Sequence, residues 1–378
     1  MYNRSMKIAG LIAEFNPLHL GHEYLIEKIK EDDVDLIICT MSPNFTMRGE
    51  LSILSKMDKT KIALEKGVDI VAEIPTIYTI ESADNYAHKA LEILNSLKVT
   101  DLYFGAEIED TQKYYQIIDV RKKEEYKSLL NKYRDMGYSL KDASKRSIIT
   151  IDSSFKDLLE SPNSLLALEY IESIKENNYN ITPHIIKRIE TNYFDEIKNG
   201  VLIQSASAIR KEYFINKESK GLSYNLSDYK TYDIRDYFDL IKYKITSSSL
   251  DELKKIKGVN EGIENLLKKN AYINNYDDFV SSLISKRNRE TKIKRILMYI
   301  LLNIKKDEFQ DDSFNPIRIL GVREKGRKYL KIFSPEMFTI NIKKDSPEFI
   351  KREIDFSKIY YKNDELKVKS EYHPVILD

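Results

Sequence analysis

Cysteine is almost missing from this chain: Cys39 stands alone among 378 residues, which excludes an internal disulfide and a cysteine-built zinc site. Tryptophan is absent and glycine scarce, at 12 residues, a compositional bias from which no function is drawn. No apolar run approaches the roughly eighteen residues that a membrane-spanning helix needs. The opening MYNRSMKIAG passes straight into an apolar strand without a signal-cleavage pattern, so a cytoplasmic protein is expected. Charge of one sign is lacking too. With 61 basic side chains against 60 acidic ones the formal net charge is +1, and nothing draws the whole molecule to nucleic acid. A local basic cluster can still do so, because binding follows where the charge lies. Three site signatures are also missing: there is no GxxxxGK[ST] phosphate loop, no GxGxxG dinucleotide turn and no HExxH metal pair.

What is present reads as an ordinary globular protein, 42% hydrophobic and 32% charged. Its length exceeds what one core usually serves, so two domains are expected. Apolar runs at 7–15 (KIAGLIAEF), 34–40 (VDLIICT), 68–73 (VDIVAE) and 101–105 (DLYFG) read as buried strands. Helical spacing separates them at 22–30, 56–66 and 84–96. This alternation predicts a doubly wound α/β domain with a parallel, Rossmann-like sheet. Residues 110–180 read mainly as helices, and 183–189 as a strand returning to the sheet. From about 210 the alternation stops. Helical segments at 232–245, 250–256, 262–269, 276–286 and 291–304 predict a mostly helical second domain, so the chain divides into 1–210 and 211–378. The stretch from 316 to 378 mixes short strands and helices.

The most informative segment is Glu14-Phe15-Asn16-Pro17-Leu18-His19-Leu20-Gly21-His22, between the first strand and the first helix. Ligands of open α/β sheets bind beyond the carboxyl ends of the strands. A helix start there offers unpaired N–H groups and a positive dipole to an anion. Gly21 lets the backbone approach a nucleotide, Pro17 stiffens the turn, and His19 and His22 can face the same phosphates. Such donors suit nucleotidyl transfer, where negative charge develops on the α-phosphate and the departing pyrophosphate. Capping or surface histidines are the bland alternative. Asn44 and Arg48-Gly49-Glu50 follow the second strand, and Gly105-Ala106-Glu107 the fourth, at the same mouth of the sheet. Ser161-Pro162-Asn163 opens a helix with a capping serine, and Asn163 can equally read an adenine or ribose edge. Gln204-Ser205-Ala206-Ser207-Ala208-Ile209-Arg210 opens another helix, either with ordinary serine caps or as a second phosphate grip.

These residues resemble the HxGH nucleotidyltransferase-like superfamily and, along essentially the whole chain, the tRNA(Met) cytidine acetate ligase family. The likeness rests on GLIAEFNPLHLGH, MSPNFTMRGELSILSKMDKTKIALEKGVDIVAEIP, SADNYAHKALEIL, FGAE, SPNSLLALEY, IKR and SASAIRK in order. It continues in GVNEGIENLLKK, SKRNRETKIKRILMYILLNI and PIRILGVREKGRKYL, which simple adenylyltransferases lack. The resemblance implies an ATP-dependent ligase that activates acetate as acetyl-adenylate and transfers the acetyl group to N4 of the wobble cytidine of elongator tRNA(Met). It implies that Ile12, Ala13, Glu14, Phe15, Asn16, Pro17, Leu18, His19, Leu20, Gly21, His22, Glu23, Tyr24 and Leu25 hold the ATP. Gly105, Asn163, Arg188, Ser205, Ser207 and Arg210 would join them, with His19, His22 and Arg188 catalytic. Mg²⁺ is expected with the triphosphate, without named protein ligands. The chain departs from the family at Met47, Ala106 and Ser164, and at 189–195 (IETNYFD), where a glycine-rich, histidine-containing stretch is usual.

Six basic residues crowd a helix start at 285–295: Lys286, Arg287, Arg289, Lys292, Lys294 and Arg295. Charge alone reads as a solvated helix face; the resemblance implies a tRNA-binding surface. Lys325, Arg327 and Lys328 form a weaker patch. Two other functions stay open on the residues themselves. One is an adenylyltransferase for a small phosphorylated metabolite, and the other a non-catalytic RNA-binding protein with an ATP-binding fold.

Overall fold

The computed structural model describes residues 6–188, 204–285, 288–309 and 316–378. Five strands, β1 (Ile8–Ala13), β2 (Leu36–Met41), β3 (Ile70–Glu73), β4 (Asp101–Ala106) and β5 (Thr182–Lys187), make a parallel sheet in the order β5-β4-β1-β2-β3. Alternation along the strands sorts side chains onto two faces. Ile8, Leu36 and Ile38 join one core, under the helices Ala83–Ser96 and Pro162–Glu176. Ala9, Leu11, Ile37 and Cys39 join the other, under α1 (Leu20–Glu31) and α2 (Lys56–Glu65). Helices therefore cover both faces, as the uninterrupted apolar runs required.

The sheet does not end at β3. Strand β6 (Ile317–Arg323) lies antiparallel to it, and β7 (Phe338–Thr339) and β8 (Val375–Leu377) pair with β6. Residues 317–323, read with the second half of the chain, thus sit in the sheet of the first. The helix Ala206–Asn216 and the segment after it also share the sheet's core through Ile209, Tyr213 and Leu226. Between these returns, the helices from Phe238 to Leu302 gather round a separate apolar cluster. Phe45, Leu51 and Ile80 reach that cluster from the sheet's side. No helix among the described residues is long and apolar enough to cross a membrane.

Candidate functional site

Strand order reverses between β1 and β4, and the carboxyl ends of two diverging strands leave a crevice there. A cavity of about 390 Å³ occupies it. Of the residues expected to hold ATP, Ile12 through Asn16, His19, Gly21, His22, Tyr24 and Leu25 line this space, as do Gly105, Asn163, Arg188, Ser205, Ser207 and Arg210. Pro17, Leu18, Leu20 and Glu23 do not line it. Leu18 is buried in the core, the Leu20 N–H donates to Gly221 O (3.1 Å), and Glu23 pairs with Lys66 at 3.0 Å. They fix the start of α1 from behind. The stretch 189–195 lies outside the described residues.

His19 caps α1. Its Nδ1 accepts the Gly21 N–H at 3.0 Å, and the Nδ1 of His22 accepts the His19 N–H at 3.1 Å. The rings stack, centroids 3.8 Å apart. Because both Nδ1 atoms are acceptors, each neutral ring carries its proton on Nε2. Burial and the nearby Arg188 charge lower His19 to about 4. Burial, His19 and Arg188 hold His22 well below the ordinary histidine range. Both rings are therefore uncharged donors at neutral pH, at a helix N-terminus. Capping and facing the cavity, the two readings the sequence left open, are done by the same side chains.

A second helix start faces the same space. Ser205 caps the helix Ala206–Asn216 by accepting the Ala208 N–H at 3.3 Å, and its hydroxyl lies 3.1 Å from that of Ser207. Arg210 donates to Asn16 O at 2.7 Å and pairs with Glu50 at 2.8 Å. On the far side, the Arg188 N–H donates to Ala106 O at 2.9 Å. A Cβ on Gly105 would stand 3.3 Å from Arg188 Cγ, so glycine there keeps room for the arginine stem. Asn163 donates Nδ2 to Glu107 at 2.7 Å, and the Ser164 N–H and hydroxyl donate to the other carboxylate oxygen at 2.8 and 2.9 Å. Because the carboxylate can only accept, Asn163 faces it with its amide NH₂ and keeps its carbonyl oxygen as an acceptor.

One residue that supports the site escapes a linear reading. Lys59, fully buried on α2, donates to the carbonyls of Glu14, Ser42 and Pro43 at 2.8–2.9 Å. It ties the turn after β1 to the loop after β2. Glu50 takes Arg210 on one oxygen and Lys294 on the other, both within 2.9 Å. Burial works against the Glu50 charge, but these two cations hold its carboxyl below the usual range. Asn44 is in a different place from the expected mouth. It is buried, with Nδ2 on Ser357 and Glu371 at 3.1 and 3.0 Å, and binds the C-terminal segment to the loop.

The basic segment divides. Lys294 and Arg295 turn inward, Lys294 onto Glu50 and Arg295 donating Nε to Met47 O at 2.8 Å. Arg289 is exposed and paired with Asp142, and Lys292 is half-buried. Lys286 and Arg287 lie outside the described residues.

Comparison with known proteins gives the family. The family described as HIGH Nucleotidyl Transferase matches residues 6–372. A tRNA(Met) cytidine acetate ligase of Clostridium perfringens is 35% identical, with 97% of this chain and 98% of that protein covered. Another, from Staphylococcus haemolyticus, is 36% identical, with 94% of each covered. Crystal structures of Thermotoga maritima TmcAL, apo and bound with alpha-thio ATP, superpose with a TM-score of 0.85 at 26% and 25% identity, covering 98% of this chain and 100% of theirs. The chain belongs to the HIGH nucleotidyl transferases and, within them, to the family of tRNA(Met) cytidine acetate ligases.

Proposed function

We propose that this chain activates acetate with ATP and acetylates N4 of the wobble cytidine of elongator tRNA(Met). A free carboxylate has no adequate leaving group, so activation comes first. An acetate oxygen attacks the α-phosphorus; the new P–O bond forms as the bond to the β-phosphate oxygen breaks, and pyrophosphate leaves with that electron pair. The cytidine amine then attacks the acetyl carbon. The C–N bond forms, the acyl–phosphate C–O bond breaks, AMP departs, and the nitrogen gives up a proton to water.

The observation that carries this reading is the histidine pair. Two uncharged rings with Nε2–H donors sit at the positive end of the α1 dipole, preorganised for charge that develops on the phosphates. Arg188, Ser205, Ser207 and Arg210 complete the anion side, while Gly105 and Asn163 take the nucleoside. The cavity carboxylates among the described residues are Glu14 and Glu50, and Glu50 is already committed to two cations. A Mg²⁺ arriving with ATP would then be held chiefly by phosphate oxygens and water, with Glu14 as its one protein carboxylate. Residues 211–378 supply the RNA surface in this reading, with the exposed Arg289 and the half-buried Lys292 among its basic residues.

The test is incubation of the protein with ATP, Mg²⁺, labelled acetate and unmodified elongator tRNA(Met), followed by nucleoside mass spectrometry. ATP-dependent N4-acetylcytidine at the wobble position is expected. His22→Ala should lower its rate by about 100-fold or more, as removal of one preorganised donor does. Tight ATP binding without acetylcytidine would overturn the reading.

A further inference from the structure

The cavity has an apolar side that neither the phosphates nor the nucleoside account for. The helix Pro162–Glu176 starts at the mouth, where Asn163 meets Glu107, and then runs back along the sheet. Leu166 and Tyr170 follow Asn163 at intervals that keep one helical face toward the cavity, and all three line it. Seven residues at 1.5 Å carry Tyr170 about 10 Å deeper than Asn163. There Ile12, near the end of β1, and Met47, in the loop after β2, pack against the cluster of Ile74, Tyr86 and Ala90. Phe104 meets Tyr170 edge-on, with centroids 5.5 Å apart.

Tyr170 itself is the unusual member. The residue is 3% exposed, yet its hydroxyl makes no hydrogen bond among the described residues and is not among the unpaired polar atoms sealed from solvent. It lines the cavity, so the open space it meets is the site. Buried hydroxyls ordinarily have partners, and this one is left for a ligand. By contrast the Tyr86 hydroxyl is 3.2 Å from the Ser42 hydroxyl. Glu14 is the acid nearby. One of its oxygens accepts the Met47 N–H at 2.7 Å, and Lys59 donates to its carbonyl at 2.8 Å; burial lowers Lys59 to about 7, so at neutral pH it offsets the negative charge at this wall in part.

We propose that this side of the cavity, between Ile12, Met47, Tyr86, Phe104 and Tyr170, is the acyl subsite: it receives the methyl group of a short carboxylate, and the Tyr170 hydroxyl donates to a carboxylate oxygen. The inference rests on the acetate-activating reading and deepens it. Acetate offers one methyl and two oxygens, which matches apolar walls and one unpaired donor. The carboxylate's second oxygen is then free to turn toward the α-phosphate on the histidine side. Met47 closes the wall and sets the chain length, since it is half-buried on a loop, whereas Ile12 is fixed in β1 and Tyr86, Phe104 and Tyr170 belong to the core.

Acetate-dependent exchange of labelled pyrophosphate into ATP tests this without tRNA, using acetate, propionate and butyrate. Met47→Ala should raise the preference for propionate over acetate by roughly tenfold, as one methylene of pocket space is worth. Tyr170→Phe, which keeps the ring, should raise the acetate KM by roughly tenfold or more with the ATP KM unchanged, the loss of one hydrogen bond to a charged acceptor. Unaltered chain-length preference in the first variant and an unaltered acetate KM in the second would overturn the subsite while leaving the function intact. Should the unsubstituted chain exchange no label with any carboxylate, the acetate-activating reading itself fails.

Discussion

The histidine pair caps α1 and lines the cavity, and its protonation must show in stability. His19 falls to about 4 in the folded chain, chiefly through burial and then through Arg188, against roughly 6.5 when unfolded. Between these values the unfolded chain binds more protons, so stability is full above pH 6.5 and is lost as pH falls toward 4. For His19 alone the loss is at most about 3 kcal/mol. The stacked His22 shares the titration, and the two act as a pair. Urea unfolding from pH 4.5 to 7 should show this slope in the unsubstituted protein. His19→Gln, whose amide oxygen can still accept the Gly21 N–H, should flatten it. Parallel curves for the two proteins would mean the ring is not held neutral.

At the scale of elements, the loop after β2 is clamped between the cavity and the helix Glu290–Leu302. Gly49 makes that approach possible: its φ is +75°, and a Cβ there would lie 2.4 Å from the Arg295 backbone nitrogen. Gly49→Ala must move the loop, the helix or both, and with them Glu50, whose carboxylate joins Lys294 to Arg210. We expect a loss of about 1–3 kcal/mol, typical of overpacking and strain, together with a raised ATP KM. Chemical denaturation and exchange kinetics measure both, and a fully stable variant with native kinetics would show that the clamp is unimportant. This contact also marks where the sequence stops being legible. The parallel sheet was readable because buried strands are apolar runs and the HxGH turn is local, and ten of the fourteen residues from Ile12 to Leu25 expected to hold ATP line the cavity. Lys294 and Arg295 read as surface charge because nothing nearby in sequence reveals Glu50 or the Met47 carbonyl. Lys59 and Tyr170 were silent for the same reason: partners for one, and their absence for the other, are tertiary facts. Strand β6 was readable as a short strand at most, and only its pairing with β3, far away in sequence, joins it to the sheet.

Across the whole molecule, a buried polar network holds the C-terminal segment against the sheet. Lys56 pairs with Glu73 at 2.7 Å and with Glu371 at 2.9 Å, all three at most 3% exposed. Burial works against the Lys56 charge, but Glu371 and Glu73 keep its ammonium above the usual range. Glu353, on the helix Glu348–Tyr360, accepts the Thr76 N–H at 2.8 Å and the Thr76 hydroxyl at 2.5 Å. Burial, and next the charge of Glu73, push the Glu353 carboxyl up to about 8. One acid of the three is thus protonated at neutral pH, so a single buried ammonium faces two carboxylates and a neutral carboxyl. The sign is opposite to that of the histidines. Between about 4.3, the unfolded value, and 8 the native chain binds the extra proton, so this group's contribution declines as pH rises. Glu353→Gln removes the titration while keeping an oxygen for the Thr76 N–H and an amide for its hydroxyl. Relative to the unsubstituted protein, its stability should therefore climb from pH 5 to pH 8, by at most about 1.4 kcal/mol per pH unit. The difference between the two unfolding curves isolates Glu353, because the histidine contribution is common to both. A difference that stays level across this range would show that Glu353 is charged in the folded chain, and that the C-terminal segment is held by a network with one more negative charge.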